Sequence, residues 1–463
     1  MNYCTENFLA GYLKKCRWFR SKAKTIKKIT LIENIPVGKF RILFLNVHYT
    51  DKTSEKYLLP ATQDIFANGL IYDAVCDYEF RKTILSAIQK GNTYKGRYGK
   101  IVASKGKFLK DTPIIKSQVL KGEQSNTSFI YDDIFIFKLY RKLEAGVNPE
   151  LEVTKFLTEK TSFRNIAQFE GAIEYIQDTT RLPIVIGLLQ GFVQNKGDAF
   201  EYTLNSLKKY YKTKSIDTNY LKMIQLLAKR TAEMHLALYS EKNNPSFKPE
   251  PFTLKYQHTL FRSMQKLTKT VFGLLQKNQK KLPKKLAIES ILKFEYMILK
   301  KFKTLAETKI STEKMRIHGD YHLEQVLFTG TDFFVIDFEG EPMRPLNARR
   351  AKKSPLVDVA GMLRSFHYAS YIQLMKSSTN WQKNKNWADV WYKCVSETFL
   401  KSYFETVKSA PFIPKDKHQR DILLNIFLLE KAVYELGYEL NNRPDWLTIP
   451  INGIKNLLNL EMI

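Results

Sequence analysis

The C-terminal third of the chain carries side chains suited to binding a divalent metal and moving a proton. Asp320 precedes two β-prone segments, residues 325–328 and 333–337, which are joined by four turn-favouring residues. This pattern predicts an antiparallel hairpin. The first strand of a hairpin begins beside the end of the second, so we expect Gln325 and Asp337 to meet close to Asp320.

Carboxylate and amide oxygens are the ligands that Mg²⁺ prefers. Gln325 and Asp337 are therefore predicted metal ligands. Asp320, five residues before the amide, has the spacing of a kinase catalytic loop, in which the Asp accepts or orients the proton of the acceptor hydroxyl. Asp337, followed by Phe338, Glu339 and Gly340, occupies the place of the kinase metal-binding motif. The sequence predicts Mg²⁺-dependent phosphoryl transfer.

This segment has two alternative interpretations, a zinc site and a purely structural hairpin. His318 and His322 are four residues apart, a spacing also found in zinc sites, but no third ligand accompanies them. A hairpin that merely exposes acidic side chains to solvent is the structural alternative.

A kinase also needs a phosphate-covering turn and a lysine on a strand. The second requirement points to Lys138, in strand material over residues 129–140, with a helical glutamate holding it: Glu152, or with less support Glu150. No Walker A sequence is present. The predicted phosphate cover is a short polar run, Gln124, Ser125, Asn126, Thr127 and Ser128.

With these motifs the chain resembles the bacterial maltokinases, within the eukaryotic-protein-kinase-like and aminoglycoside-phosphotransferase-like superfamily. Glu324 departs from the pattern, where glycine is expected. The resemblance covers most of the chain and is carried by residues 17–19, 123–128, 146–149, 197–202, 230–235, 316–322, 325–327, 336–342, 354–356, 358–365 and 438–446.

The resemblance implies an α+β, bilobal protein-kinase-like fold. Residues 1–90 would form an N-terminal cap subdomain, 91–193 a β-rich intermediate ATP-binding subdomain, and 194–463 a mainly helical C-lobe. It also implies ATP and Mg²⁺ as cofactors and phosphorylation of maltose at its anomeric hydroxyl. The product, maltose 1-phosphate, would feed α-glucan (glycogen) synthesis from trehalose and maltose, in functional association with trehalose synthase.

The resemblance further implies which residues contact the acceptor sugar. Asp358 would hydrogen-bond the catalytic loop from a helix; the alternative is a simple helix cap after Pro355. Tyr434 and Tyr438 share a helix face, a spacing that is also common in protein cores. The predicted acceptor contacts are His318, His322, Glu339, Tyr434, Tyr438, Asn441 and Arg443.

Coarse periodicity supports a β-rich N-terminal half and a helical C-terminal half. Apolar residues recur every three to four positions over residues 220–239, and similar runs cover 286–304, 390–407 and 421–440. These four runs are predicted helices.

Charge is the unusual bulk property: 74 basic and 46 acidic residues give a net charge of +28. The lysines are spread along the chain and no nucleic-acid motif is recognised, so neither nucleic acid nor membrane is an expected partner, and a non-catalytic basic binding protein is a remote alternative. No apolar run is long enough to cross a bilayer, and we expect a cytoplasmic protein. An amino-sugar or aminoglycoside kinase is the nearer alternative, but the excess positive charge and the lack of a dense acidic segment disfavour a cationic acceptor.

Overall fold

The computed structural model describes residues 3–62, 72–122, 125–282, 288–377 and 381–459. Within them the chain divides into two compact units, residues 1–194 with 344–348, and residues 195–343 with 349–463. No helix in the described ranges is long and apolar enough to span a bilayer. The predicted boundaries at 90/91 and 193/194 stay predictions.

The first unit is built mainly of antiparallel sheet. Its elements are α1 (Tyr3–Lys15), β1 (Ile26–Val37), β2 (Phe40–Tyr49), β3 (Ser54–Thr62), α2 (Tyr78–Lys90), β4 (Thr93–Lys95), β5 (Gly99–Lys105), β6 (Ser117–Val119), β7 (Thr127–Tyr131), β8 (Phe135–Leu139), β9 (Lys142–Leu143), α3 (Pro149–Lys160), β10 (Phe169–Gln177) and β11 (Pro183–Gly191).

These strands form a four-stranded sheet in the order β1-β2-β3-β9 and a seven-stranded sheet in the order β4-β5-β10-β11-β8-β7-β6. Residues 129–140, predicted as continuous strand material, are two strands because Asp132 and Asp133 turn the chain with φ values of 47° and 54°. Short Asp side chains tolerate this left-handed region. Phe137 and Leu139 of β8 join one hydrophobic core with α2 and the first sheet.

The second unit is mainly helical. Its elements are α4 (Ala199–Thr213), α5 (Thr218–Tyr239), β12 (Glu250–Pro251), α6 (Leu254–Asn278), α7 (Ile288–Leu292), α8 (Phe294–Glu307), β13 (Glu313–Lys314), β14 (Val326–Phe328), β15 (Phe333–Val335), α9 (Leu346–Arg349, whose first three residues belong to the first unit), α10 (Leu356–Ser377), α11 (Lys385–Val407), α12 (Lys417–Asn442) and α13 (Thr448–Leu457).

Three of the four predicted helices are present, and each begins earlier than predicted. Asp217 caps α5 by accepting the Asn219 N–H, and Asp416 caps α12 by accepting the His418 N–H. Helix α11 starts five residues before the predicted 390. The predicted helix 286–304 is interrupted: α7 and α8 are separated at Lys293, and residues 286 and 287 lie outside the described ranges.

Candidate functional site

One buried carboxylate holds the loop that carries Asp320. Asp358 on α10 accepts backbone hydrogen bonds from His318 (2.8 Å) and Gly319 (2.9 Å), and lies 3.2 Å from Nε2 of His235 on α5. Burial raises the pKa of Asp358, but these bonds and the imidazole outweigh burial and leave the pKa below its ordinary value. Asp358 is thus an ionised anchor that fixes the loop backbone.

Two helices pack tightly against the same loop. The Tyr321 hydroxyl lies 2.8 Å from Thr231 Oγ1 on α5, and Ser365 Oγ on α10 accepts the Leu323 N–H at 3.2 Å. A Cβ added to Gly361 would lie 2.5 Å from the Tyr321 carbonyl oxygen, so only glycine lets α10 approach this closely. The backbone beside Asp320 is therefore rigidly positioned.

His318, predicted to contact the acceptor, instead serves the fold. Its side chain is almost fully buried, and Nε2 donates to the Ile336 carbonyl oxygen at 2.9 Å. The ring ties the loop to the end of the hairpin, which leaves no face for a sugar and uses the nitrogen that zinc would need. This burial argues against an acceptor contact by His318, which stays a prediction.

The predicted hairpin is present, and its open end brings the two proposed metal ligands together. Val326 pairs with Val335 and Phe328 with Phe333. Gln325 Nε2 donates to Asp337 Oδ2 at 3.1 Å, which orients the amide and leaves its oxygen available. This hard-oxygen set fits Mg²⁺.

A partly exposed ammonium lies next to Asp320. Lys431 Nζ on α12 is 3.6 Å from Asp320 Oδ1. Burial lowers the pKa of Lys431, but the charges of Asp320, Glu435 and Glu341 outweigh it and raise the pKa above its ordinary value. The lysine stays charged because three acids from separate segments surround it.

Burial also lowers the pKa of the neighbouring His322, an effect that Asp320 opposes and Lys431 reinforces. Its imidazole is consequently neutral at pH 7. Its Nδ1 lies 3.6 Å from Glu324 Oε2, so the unexpected acid at position 324 faces this histidine. Glu339, two residues beyond Asp337, is partly exposed.

The predicted acceptor tyrosines extend along α12 from Lys431. Tyr434 and Tyr438 are three and seven residues further on, so they lie one and two turns along the same helix face. The Lys431 ammonium is 5.0 Å from the centre of the Tyr434 ring, and Tyr438 is 47% exposed. This face offers an aromatic surface that begins beside Asp320.

The two polar residues predicted at the end of this helix are engaged within it. Arg443 donates Nε and Nη2 to the two carboxylate oxygens of Glu439, at 2.9 and 2.8 Å, and lies 4.2 Å from the Trp446 ring centre. Asn441 donates to the Gly437 carbonyl oxygen. The charge of Arg443 is matched by the buried carboxylate of Glu439.

In the first unit, the lysine of the seven-stranded sheet forms its ion pair with Glu150. Lys138 Nζ on β8 is 2.9 Å from Glu150 Oε2 on α3, and the Tyr140 hydroxyl donates to the same oxygen at 2.6 Å. The preference for Glu152 was wrong, because Glu150 shares the buried face of α3 with Val153 and Thr154. Glu152 is about 200° further round the helix.

Part of the polar run predicted to cover the phosphates belongs to a β-strand. Thr127 and Ser128 begin β7, and Thr127 Oγ1 accepts from Arg141 Nε at 2.8 Å. Ser125 and Asn126 precede the strand, and Gln124 lies outside the described residues. Phosphate binding by this run stays a prediction.

Sequence reasoning missed Lys431 and His235. Lys431 had a usable signal, since it precedes Tyr434 and Tyr438 at helical spacing on the face already proposed to meet the sugar. His235 had none, because its role depends on the fold bringing it within 3.2 Å of Asp358, more than 100 residues later.

Known proteins resemble this chain in sequence and in structure. No protein-family model matches the chain. A glucosamine kinase of Streptacidiphilus jiangxiensis is 25% identical over 147 residues, 32% of either chain, and one of Mycolicibacterium smegmatis is 26% identical over 147 residues, 31% of this chain and 34% of the relative. The matched segment spans about a third of each curated relative.

Solved structures extend the likeness to the whole chain. A glucosamine kinase in complex with glucosamine, ADP and inorganic phosphate superimposes with a TM-score of 0.71 at 15% identity, covering 99% of both chains. A second crystal form of glucosamine kinase gives 0.72, covering 94% of this chain and 95% of that one. The predicted α+β, bilobal kinase-like fold is confirmed, and the chain shares it with glucosamine kinase.

Proposed function

We propose that this protein transfers the γ-phosphoryl group of ATP to a hydroxyl of an amino sugar of the glucosamine class. The observation that carries the proposal is the acidic surrounding of Lys431. Asp320, Glu341 and Glu435 together keep the partly exposed ammonium of Lys431 charged beside the proposed catalytic residue. Glu435 is also paired with Arg364, so these three acids face two cations, and the one negative charge left over favours a cationic acceptor.

The relatives support the same choice. Two relatives matched by sequence and two structures that cover nearly the whole chain, all described above, are glucosamine kinases. The sequence-based objection to a cationic acceptor rests on the net positive charge and on the lack of a dense acidic segment. In the structure Asp320 and Glu341, which are distant from Lys431 in sequence, lie with Glu435 of the same helix around its ammonium group.

In the proposed reaction Asp320 accepts the proton of the acceptor hydroxyl as the oxygen attacks phosphorus. Asp358 keeps the loop in place for this step through its bonds to His318 and Gly319. Gln325 Oε1 and Asp337 would hold Mg²⁺, which neutralises charge on the transferred phosphate. Lys138, fixed by Glu150, would bind the α- and β-phosphates.

Maltose is the second candidate acceptor. What favours it is the aromatic face of Tyr434 and Tyr438, since tyrosine rings pack against the apolar faces of a two-ring sugar. On that reading the product is maltose 1-phosphate, destined for glycogen synthesis with trehalose synthase upstream. A non-catalytic basic binding protein is disfavoured, because the chain keeps the residues predicted for catalysis, metal binding and nucleotide binding: Asp320, Gln325, Asp337 and Lys138.

An acceptor panel tests the proposal. The purified chain is incubated with ATP, Mg²⁺ and glucosamine, N-acetylglucosamine, glucose or maltose, and ADP formation is followed. We expect kcat/KM for glucosamine to exceed that for glucose and N-acetylglucosamine about tenfold or more, because these two lack the ammonium group. A preference for maltose contradicts the amino-sugar proposal and supports the second candidate. Phosphorus NMR of the product identifies the phosphorylated hydroxyl.

A further inference from the structure

The first unit contains a cavity of about 380 Å³ that the proposed phosphoryl transfer does not use. Phe135 on β8 lines it, and Lys138 on the same strand points to the opposite face of the sheet, because side chains alternate along a strand. The cavity and the Lys138–Glu150 ion pair therefore lie on different faces of the seven-stranded sheet.

A buried acid lies inside this cavity. Glu170, at the start of β10, lines the cavity and is 8% exposed. Its Oε2 is buried and accepts no hydrogen bond from any residue that the structure describes. A buried carboxyl oxygen without a donor is costly, by about 1–3 kcal/mol, unless something else supplies the hydrogen bond. An N–H or ammonium group of a ligand would supply this hydrogen bond.

Two basic side chains line the same cavity from its exposed side. Lys110 and Arg164 are both exposed. Arg164 Nη1 donates to the carbonyl oxygens of Thr161 and Phe163, at 2.8 and 3.1 Å, which holds the guanidinium in place. The cavity is thus acidic inside and basic at its opening.

The lining between these charges is mixed: Thr112, Thr158 and Gln168 are polar, and the other three residues are apolar. Phe108, Ile134 and Phe135 supply two aromatic rings and a branched aliphatic chain. We propose that this cavity is a binding site for a small zwitterion with an apolar body, whose ammonium group meets Glu170 and whose anionic group meets Arg164 and Lys110. An aromatic α-amino acid is the simplest member of this class.

Three related probes test each part of the proposal. L-phenylalanine carries both charges, phenethylamine lacks the carboxylate, and 3-phenylpropionate lacks the ammonium group. Titration calorimetry on the full chain measures the affinity of each. We expect L-phenylalanine to bind. Each of the other two should bind at least about tenfold more weakly, because a charge-assisted hydrogen bond is lost.

Variants locate the binding. Glu170→Gln should weaken L-phenylalanine about tenfold or more and remove its advantage over 3-phenylpropionate. Arg164→Ala should remove its advantage over phenethylamine, and this exposed position keeps the test usable if the buried variant folds poorly. Glu405→Gln, an exposed acid of α11, is the matched control and should leave all three affinities unchanged.

The proposal is overturned if L-phenylalanine shows no binding at roughly 10 mM, a concentration well above the affinity expected of a specific site. It is equally overturned if either single-charge probe binds as tightly as L-phenylalanine, or if Glu170→Gln leaves the L-phenylalanine affinity unchanged. None of these readouts depends on phosphoryl transfer.

Discussion

Asp337 combines a polar role with an unusual backbone. Its φ of 64° lies in the left-handed region, where residues other than glycine are uncommon and where Asp and Asn are the best tolerated. Gln325 donates to one of its oxygens at 3.1 Å. A strained conformation at a site of convergent oxygen donors is typical of functional positions.

Replacing Asp337 by Asn should reduce kcat about a hundredfold or more, because an amide cannot supply the charge that holds Mg²⁺. The fold should survive, since Asn also tolerates positive φ. Steady-state kinetics and thermal unfolding check both statements. Asp421→Asn, an exposed acid on α12, serves as control, and a folded Asp337→Asn enzyme of wild-type rate would refute the metal assignment.

Glu170 gives a prediction for stability against pH. Burial raises the pKa of its carboxyl from 4.5 to about 7, so the folded state retains a proton that the unfolded state releases between these values. Stability should therefore fall as pH rises through this window. The melting temperature of Glu170→Gln minus that of the wild type should increase from about pH 5 to about pH 8. A difference that stays constant over this range would show that Glu170 titrates normally.

At the scale of elements, the hairpin and its anchor depend on close packing around the loop. Sequence reasoning predicted the hairpin because alternation and turn residues are local signals. It also predicted that Asp358 hydrogen-bonds the catalytic loop, but only through the resemblance to the maltokinases. The approach of α10 to Tyr321 depends on Gly361 and is invisible without the fold.

Gly361→Ala should therefore destabilise the protein by about 1–3 kcal/mol, because its Cβ would meet the Tyr321 carbonyl oxygen and displace the loop. It should also lower kcat, since Asp320 is the preceding residue. Gly273→Ala in α6 is the matched control: its Cβ would meet nothing within 4 Å, and alanine should stabilise that helix by up to about 1 kcal/mol. Denaturant unfolding of both variants checks the contrast, which fails if both behave alike.

The surroundings of Asp320 could not be predicted from local patterns. Glu341 follows the hairpin, while Lys431 and Glu435 lie about 90 residues later on α12. Only the packing of α12 against the loop joins them. The Lys138 partner was misjudged for a related reason, since the choice between two glutamates depends on which face of α3 is buried.

For the whole molecule, the net charge of +28 arises from lysines distributed over both units. Such a surface attracts polyanions without reading their sequence. Binding to duplex DNA should be weak and should disappear at about 150 mM salt, as measured by fluorescence anisotropy. Sequence-selective binding that persists at this ionic strength would contradict the expectation that nucleic acid is not a partner.

Asp320 is proposed to promote transfer of phosphate from ATP to an amino sugar. Single-turnover transfer to glucosamine, compared between the wild type and Asp320→Ala, measures this role. We predict that the wild type forms glucosamine phosphate, and that Asp320→Ala is slower by about 10²–10⁴ while its ATP affinity changes less than about twofold. Absence of glucosamine phosphate with the wild type would refute the amino-sugar acceptor, and an unchanged rate in the variant would refute the role of Asp320.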